Sequence, residues 1–172
     1  MAIQYRQETQ SDIGAIEAVT VAAFAHAPHT SHTEQFIVRA LRAANALTLS
    51  IVAEDARQIV GHVAVSPVSI TSKHGGQARH WYGLGPISVL PERQMQGIGS
   101  RLMERALSEL GGIQAAGCVL LGDPAYYARF GFRPHPGLEL PGVPPDYFLA
   151  LALRGPVPEG LVRYSEAFDA TA

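Results

Sequence analysis

The sequence has 172 residues, 47% hydrophobic and 16% charged, the composition of one folded domain rather than of a disordered chain. A net charge of −2 without a dense Lys/Arg cluster lacks the electrostatic footprint of a nucleic-acid or polybasic membrane binder, and points to a small-molecule partner. One cysteine, Cys118, excludes an internal disulfide or a thiolate metal cage and suits a reducing cytoplasm. The polar start from Met1 to Gln10 and the absence of any apolar run near ~20 residues argue against a signal peptide or membrane anchor.

Ile3 and Tyr5 alternate with Gln4 and Arg6, the period of a short strand. Ser11 or Asp12 then caps a helix whose Ile13, Ile16, Val19, Thr20 and Ala23 share one side, and Pro28 ends it. Ser31 or Thr33 opens a second helix with Phe36, Ile37, Ala40 and Leu41 as its apolar face. Leu47 to Ala53 and Ile59 to Ser66 read as antiparallel strands joined by the polar turn Glu54-Asp55-Ala56-Arg57, with Val68 to Thr71 extending the second past Pro67. Lys73 to Ala78 is an exposed loop, and Trp81 to Leu90 is the next strand, stopped by Pro91.

From Gly97 the period becomes helical, with Ile98, Leu102, Met103, Ala106, Leu107 and Leu110 in one stripe and Gly111-Gly112 at the end. Cys118 to Leu121 is a wholly apolar run, expected to be a buried central strand. Asp123 with Pro124 starts a short helix, Ala125 to Phe130, that stops at Gly131. After a Pro/Gly-rich excursion from Pro134 to Pro145, Tyr147 to Leu153 is a further strand, and Leu161 to Tyr164 is expected at an edge that would allow a homodimer.

The segment that carries most chemistry is Val89 to Ser100, where a strand passes through a short loop into a helix. Main-chain N–H groups at a helix start lack intrahelical partners, and the helix dipole adds positive charge, so such a turn binds anions. Gly97 and Gly99 let a pyrophosphate approach the main chain. No Gly-Lys-Ser/Thr follows to make a P-loop, and the third Rossmann glycine is replaced by Leu102.

Gln94, Gly97 and Gly99, after a strand ending in Val89-Leu90-Pro91, resemble the pyrophosphate loop of the GNAT N-acetyltransferase superfamily. Gly85 to Pro91, Leu121 to Phe132, Glu34 to Arg42 and Gly61 to Val68 are similar to its YhbS-like branch, so the likeness spans about residues 1–153. Met95 departs from the small or basic residue common at its place. The resemblance implies an α/β (α+β) fold with a mixed, mainly antiparallel sheet of about seven strands flanked by helices. It implies one N-acetyltransferase domain over residues 1–153, with residues 154–172 a peripheral extension packed on it.

It further implies that acetyl-CoA is the cosubstrate, that Ile87, Ser88 and Val89 pair with its pantetheine arm, and that Gln94, Met95, Gln96, Gly97, Ile98, Gly99 and Ser100 take the pyrophosphate. One N–H of that strand would hold the oxyanion. Tyr127, four residues before Gly131, takes the place of the family's general acid, since a phenol is protonated at neutral pH and can supply the departing thiolate; Tyr126 packs against the cofactor or the core. An amine acceptor must lose a proton before attack, and Glu34, His32, Glu54, His62, His80 and Ser88 are candidate bases among which the sequence does not choose.

His26, His29 and His32 recur every three residues, but Pro28 breaks the helix that would align them, so no metal is expected and the segment reads as a substrate-facing loop. Cys118 reads as a small core hydrophobe. The expected activity is direct transfer of an acetyl group to an amine of a small molecule or peptide. A non-catalytic acyl-CoA sensor, and an acyltransferase acting on a hydroxyl or a protein N-terminus, remain alternatives.

Overall fold

In a computed structural model of the chain, residues 2–28 and 30–172 are described. The elements in chain order are β1 (Gln4–Gln7), α1 (Ile13–Phe24), α2 (Glu34–Ala43), β2 (Leu49–Asp55), β3 (Gln58–Pro67), β4 (Ser69–Ser72), β5 (Gln77–Ala78) and β6 (Trp81–Val89). There follow α3 (Ile98–Gly112), β7 (Gly117–Leu121), α4 (Pro124–Tyr127), β8 (Arg133–Pro134), β9 (Leu138–Glu139), β10 (Phe148–Ala152) and β11 (Gly160–Arg163). The chain divides into two compact units, the first made of the segment up to Ser66, Gly85–Ser108 and Glu166–Ala172, the second of Pro67–Leu84 and Glu109–Ser165. Among the described residues no helix is long and apolar enough to cross a membrane.

In the first unit the strand order is β1-β2-β3 followed by the C-terminal half of β6. β2 pairs antiparallel with both β1 and β3. The β2–β3 hairpin turns on Ala56 and Arg57, both left-handed at φ 48° and 68°, the geometry whose twist matches that of the flanking strands. Helices α1 and α2 cover one face through Ile16, Val19, Val38, Val52 and Ile59, each worth about 1.5–3 kcal/mol when fully buried.

Helix α3 lies against β3 at Gly61, where a Cβ would come within 3.0 Å of Leu102 and 3.1 Å of Ile98. Successive strand residues point to opposite faces, so His62, paired with Val52, faces α1 and α2 instead. The expected cap Asp12 does more than start a helix. Its carboxylate accepts from the Thr9 N–H at 2.7 Å and pairs with Arg6 at 2.7 Å, and the Arg6 hydrogen bond holds its carboxyl down to about 2.

In the second unit the order is the N-terminal half of β6, then β7, β10 and β8. The β6–β7 pair is parallel, from Trp81↔Gly117 to Gly83↔Val119, and the β10 pairs are antiparallel. A second sheet runs β5-β4-β11-β9. Ile70, Trp81, Val119, Leu138, Phe148, Ala150 and Val162 form the core between them.

Four expectations change. Gln77–Ala78, read as part of an exposed loop, is β5 and pairs with β4. Val68 to Thr71 does not extend β3: Pro67 has no N–H to continue the ladder, and Ser69–Ser72 is β4 of the second sheet. The strand expected at an edge near the C-terminus is interior, because β11 lies between β4 and β9 with Val162 buried, and the argument for a homodimer through that edge falls. The excursion from Pro134 contains β8 and β9, two-residue strands too short to show a period in sequence.

Candidate active site

The first unit carries the loop from Leu90 to Ser100. Arg93 Nη2 donates to Asp55 at 2.8 Å, Gln94 Nε2 to the Val89 carbonyl at 3.1 Å, and Gln96 Nε2 to the Glu92 carbonyl at 3.4 Å. The two glutamines therefore brace the main chain of the turn, and Arg93 ties the loop to β2. Met95 and Gly97 are left-handed at φ 64° and 84°, and alternation of hands along a turn aims successive N–H groups into a concavity that suits an anion. Gly97 needs no Cβ for that conformation, while Met95 projects its whole side chain into solvent.

Ile98 sends its side chain into the core, so any contact it makes with an anion is through its N–H. At Gly99 a Cβ would lie 3.9 Å from Val89, leaving room for the alanine that the family pattern also allows. On β6, Ser88 is buried, Ile87 and Val89 partly so. The Leu90 N–H donates to the Val60 carbonyl at 2.9 Å. The end of β6 is thereby tied to β3, its neighbour in the sheet.

The second unit carries α4. Asp123 caps it by accepting the Ala125 N–H at 3.0 Å, Pro124 fills the first position, and Gly131 follows the last turn at φ 96°. Tyr127 packs edge-on to Tyr126 at 4.9 Å and near Phe132 at 6.2 Å. Its ring lies on the main chain at Gly122, where a Cβ would come within 2.3 Å of Cε2. Burial, and then the neighbouring Tyr126, push the Tyr127 phenol above its ordinary value, which keeps it protonated and available as an acid. Tyr126 carries the Arg129 guanidinium 4.2 Å over its ring. The excursion after β8 closes round a cavity of about 320 Å³ lined by Leu138, Leu140, Val143 and Phe148 with His135 and Glu139.

The candidate bases separate. Glu54 is engaged by Arg6 at 3.3 Å, and Glu34 accepts from Thr30 and, at 3.1 Å, from Ser31. His32 and His80 are exposed and left-handed, at φ 59° and 65°. His62 is fully buried, with Nε2 2.8 Å from Ser50 Oγ; Ser50 donates to Glu8, and Glu8 receives Arg42 at 2.7 and 3.1 Å. Burial pushes the Glu8 carboxyl up, but the bonds from Arg42 and Ser50 outweigh it and hold the group below its ordinary value. Glu8, Ser50 and Arg42 were not among the sequence candidates, because only strand register and the docking of α2 bring them to His62. Burial pushes the Cys118 thiol up to about 12, as befits a core residue. Among the described residues no group of three or more His, Cys, Asp or Glu could hold a metal; His29 lies outside them.

A strand led by a braced glycine turn into a helix, and a capped short helix bearing a protonated tyrosine, are the features expected of an α/β acyltransferase that works with coenzyme A thioesters. The family model of the acetyltransferase (GNAT) domain matches residues 47–134, and the chain belongs to that family. It is 47% identical to a GNAT family acetyltransferase from Brucella melitensis solved with acetyl-CoA, at a TM-score of 0.85 over 98% of this chain and 99% of that one. It is 33% identical to YhbS from Escherichia coli solved with CoA, again at a TM-score of 0.85, over 99% of this chain and 93% of that one. Against the N-acetyltransferase YhbS of Escherichia coli strain K12 the identity is 36% over 119 residues, 69% of each chain.

Proposed function

We propose that the chain moves an acetyl group from acetyl-CoA directly to an amine of a small molecule or peptide within a ternary complex. The observation that carries this reading is the turn at residues 94–100, whose side chains hold the loop while its left-handed residues and the start of α3 present N–H groups. The relative solved with acetyl-CoA, 47% identical over nearly the whole chain, supports it.

In this reading Gln94 to Ser100 hold the pyrophosphate and Tyr126 packs on the cofactor. The pantetheine arm pairs with main-chain groups of Ile87, Ser88 and Val89, and one of those N–H groups holds the oxyanion. Tyr127 protonates the departing sulfur, and no metal takes part. Residues 1–153 supply this machinery, and the C-terminal segment, expected as a peripheral extension, contributes the interior strand β11 to the second sheet. Cys118, a buried free thiol, suits the cytoplasm in which we place the protein.

Titration calorimetry with acetyl-CoA, followed by thiol release with a panel of polyamines, amino antibiotics and lysyl peptides, tests the reading. Saturable binding with thiol release for at least one amine supports it. Binding without turnover of any amine favours a non-catalytic module, and no binding at millimolar acetyl-CoA ends the assignment. Tyr127→Phe is expected to lower turnover about a hundredfold with little change in acetyl-CoA affinity; unchanged turnover removes the acid role.

A further inference from the structure

The cavity of about 320 Å³ inside the segment from His135 to Phe148 is lined wholly by residues of the second unit. Its floor is core: Leu138 and Phe148 are each 4% exposed, and Leu140 and Val143 pack beside them. Apolar side chains ordinarily fold into such a space to regain dispersion contacts, but here the backbone holds them off it. Pro136, Pro141, Pro144 and Pro145 fix φ along the segment. Three turns pin it, the N–H groups of Leu138, Val143 and Tyr147 donating to the carbonyls of His135, Leu140 and Pro144 at 2.9, 3.3 and 3.1 Å. A cavity kept open in this way is preorganised, and a ligand entering it loses little affinity to ordering the protein.

The lining selects the ligand. The volume lies at the lower end of small-molecule sites, room for one ring or a branched chain. No lysine or arginine borders the cavity, which disfavours an anion, while Glu139 brings one carboxylate that is exposed to solvent. One ammonium can meet that carboxylate without leaving water. A second charge, or the polar main chain behind a lysine, would be stripped of water against Leu138, Leu140, Val143 and Phe148.

The place of the cavity suits an acceptor. Phe148 pairs directly with Leu121 at the end of the β7–β10 ladder. One residue on, the Gly122 N–H donates to the Tyr147 carbonyl at 3.0 Å, and the Tyr127 ring lies on Gly122. Side chains alternate along a strand, so the cavity and the Tyr127 ring stand at the same end of this ladder on its two faces. A nucleophile and the proton donor to the departing sulfur have to meet a thioester from different sides.

We propose that this cavity holds the body of the acceptor, and that the acceptor is a compact monoamine bearing an aryl or branched alkyl group. This rests on the reading that the chain acetylates an amine, and narrows which amine.

The test follows thiol release by the full chain from acetyl-CoA with phenethylamine, isoamylamine, spermidine and a lysyl peptide. The two apolar monoamines are expected to exceed the others about tenfold or more in kcat/KM; a preference for spermidine or the peptide overturns the inference. Val143→Phe fills the cavity and should raise KM for phenethylamine about tenfold, with KM for acetyl-CoA held within about twofold. An unchanged amine KM in a variant of wild-type Tm overturns it too. NMR of methyl-labelled wild type without acetyl-CoA needs neither the variant nor turnover. Nuclear Overhauser effects from the phenethylamine ring to the Leu138, Leu140 and Val143 methyls support the site, and none at millimolar amine sinks it. Such effects with no thiol release from any amine end the acetyl-transfer reading but keep the cavity as a site for apolar amines. Thiol release without them ends this inference and leaves that reading standing.

Discussion

The turn at residues 94–100 is open to solvent and keeps its shape through main chain and two glutamine amides, whereas the ladder Arg42–Glu8–Ser50–His62 is enclosed and made of side chains. Both belong to the first unit. The ligand proposed for the turn is of fixed chemistry, a diphosphate, and would be met by groups every residue possesses. The ladder depends on which residue stands at each position. Substitutions should therefore be felt as lost stability in one region and as lost affinity, or not at all, in the other.

Glu8→Ala is the strongest challenge to this contrast. It strands Arg42 and Ser50 in a part-buried site, and should cost about 2–4 kcal/mol, a fall of roughly 10 °C in Tm for a chain of this size, read by circular dichroism. A loss under about 1 kcal/mol would mean that water supports the ladder as well as Glu8 does.

Gly97→Val places a β-branched residue at φ 84°, where a Cβ meets nothing within 4 Å, so the penalty is conformational. The turn should open and acetyl-CoA affinity drop about tenfold, the equivalent of ~1.4 kcal/mol, with a smaller change in Tm than Glu8→Ala. Affinity that survives the substitution would separate the turn's left-handed geometry from cofactor binding. Met95→Ala should leave acetyl-CoA affinity within about twofold, since loss of one exposed side chain touches only solvent. A larger loss would show that the thioether reaches the ligand.

The same contrast explains what could be read without coordinates. Gln94, Gly97 and Gly99 are neighbours in sequence, and Asp123-Pro124 marks its helix start by local chemistry alone, so both were visible. Runs rich in β-branched residues located β2 and β3, and Pro91 marked the end of β6. Glu8 and Ser50 meet because β1 lies against β2 in a particular register, and a serine in an apolar run carries no mark of the partner that register will supply. The exchange of sheets at Pro67 was hidden because β4 has the same composition as a continued β3. The interior place of β11 was hidden because strand order depends on pairings between distant segments.

Trp81 is the only tryptophan of the sequence, and it is sealed in the core of the second unit, its ring filling the space a side chain at Gly117 would need. Intrinsic fluorescence thus observes β6, β7 and β10 and is blind to damage confined to the Arg42–His62 region. Emission and ellipticity recorded on one sample would therefore report whether loss of the first unit's order spreads into the second or stops short of it.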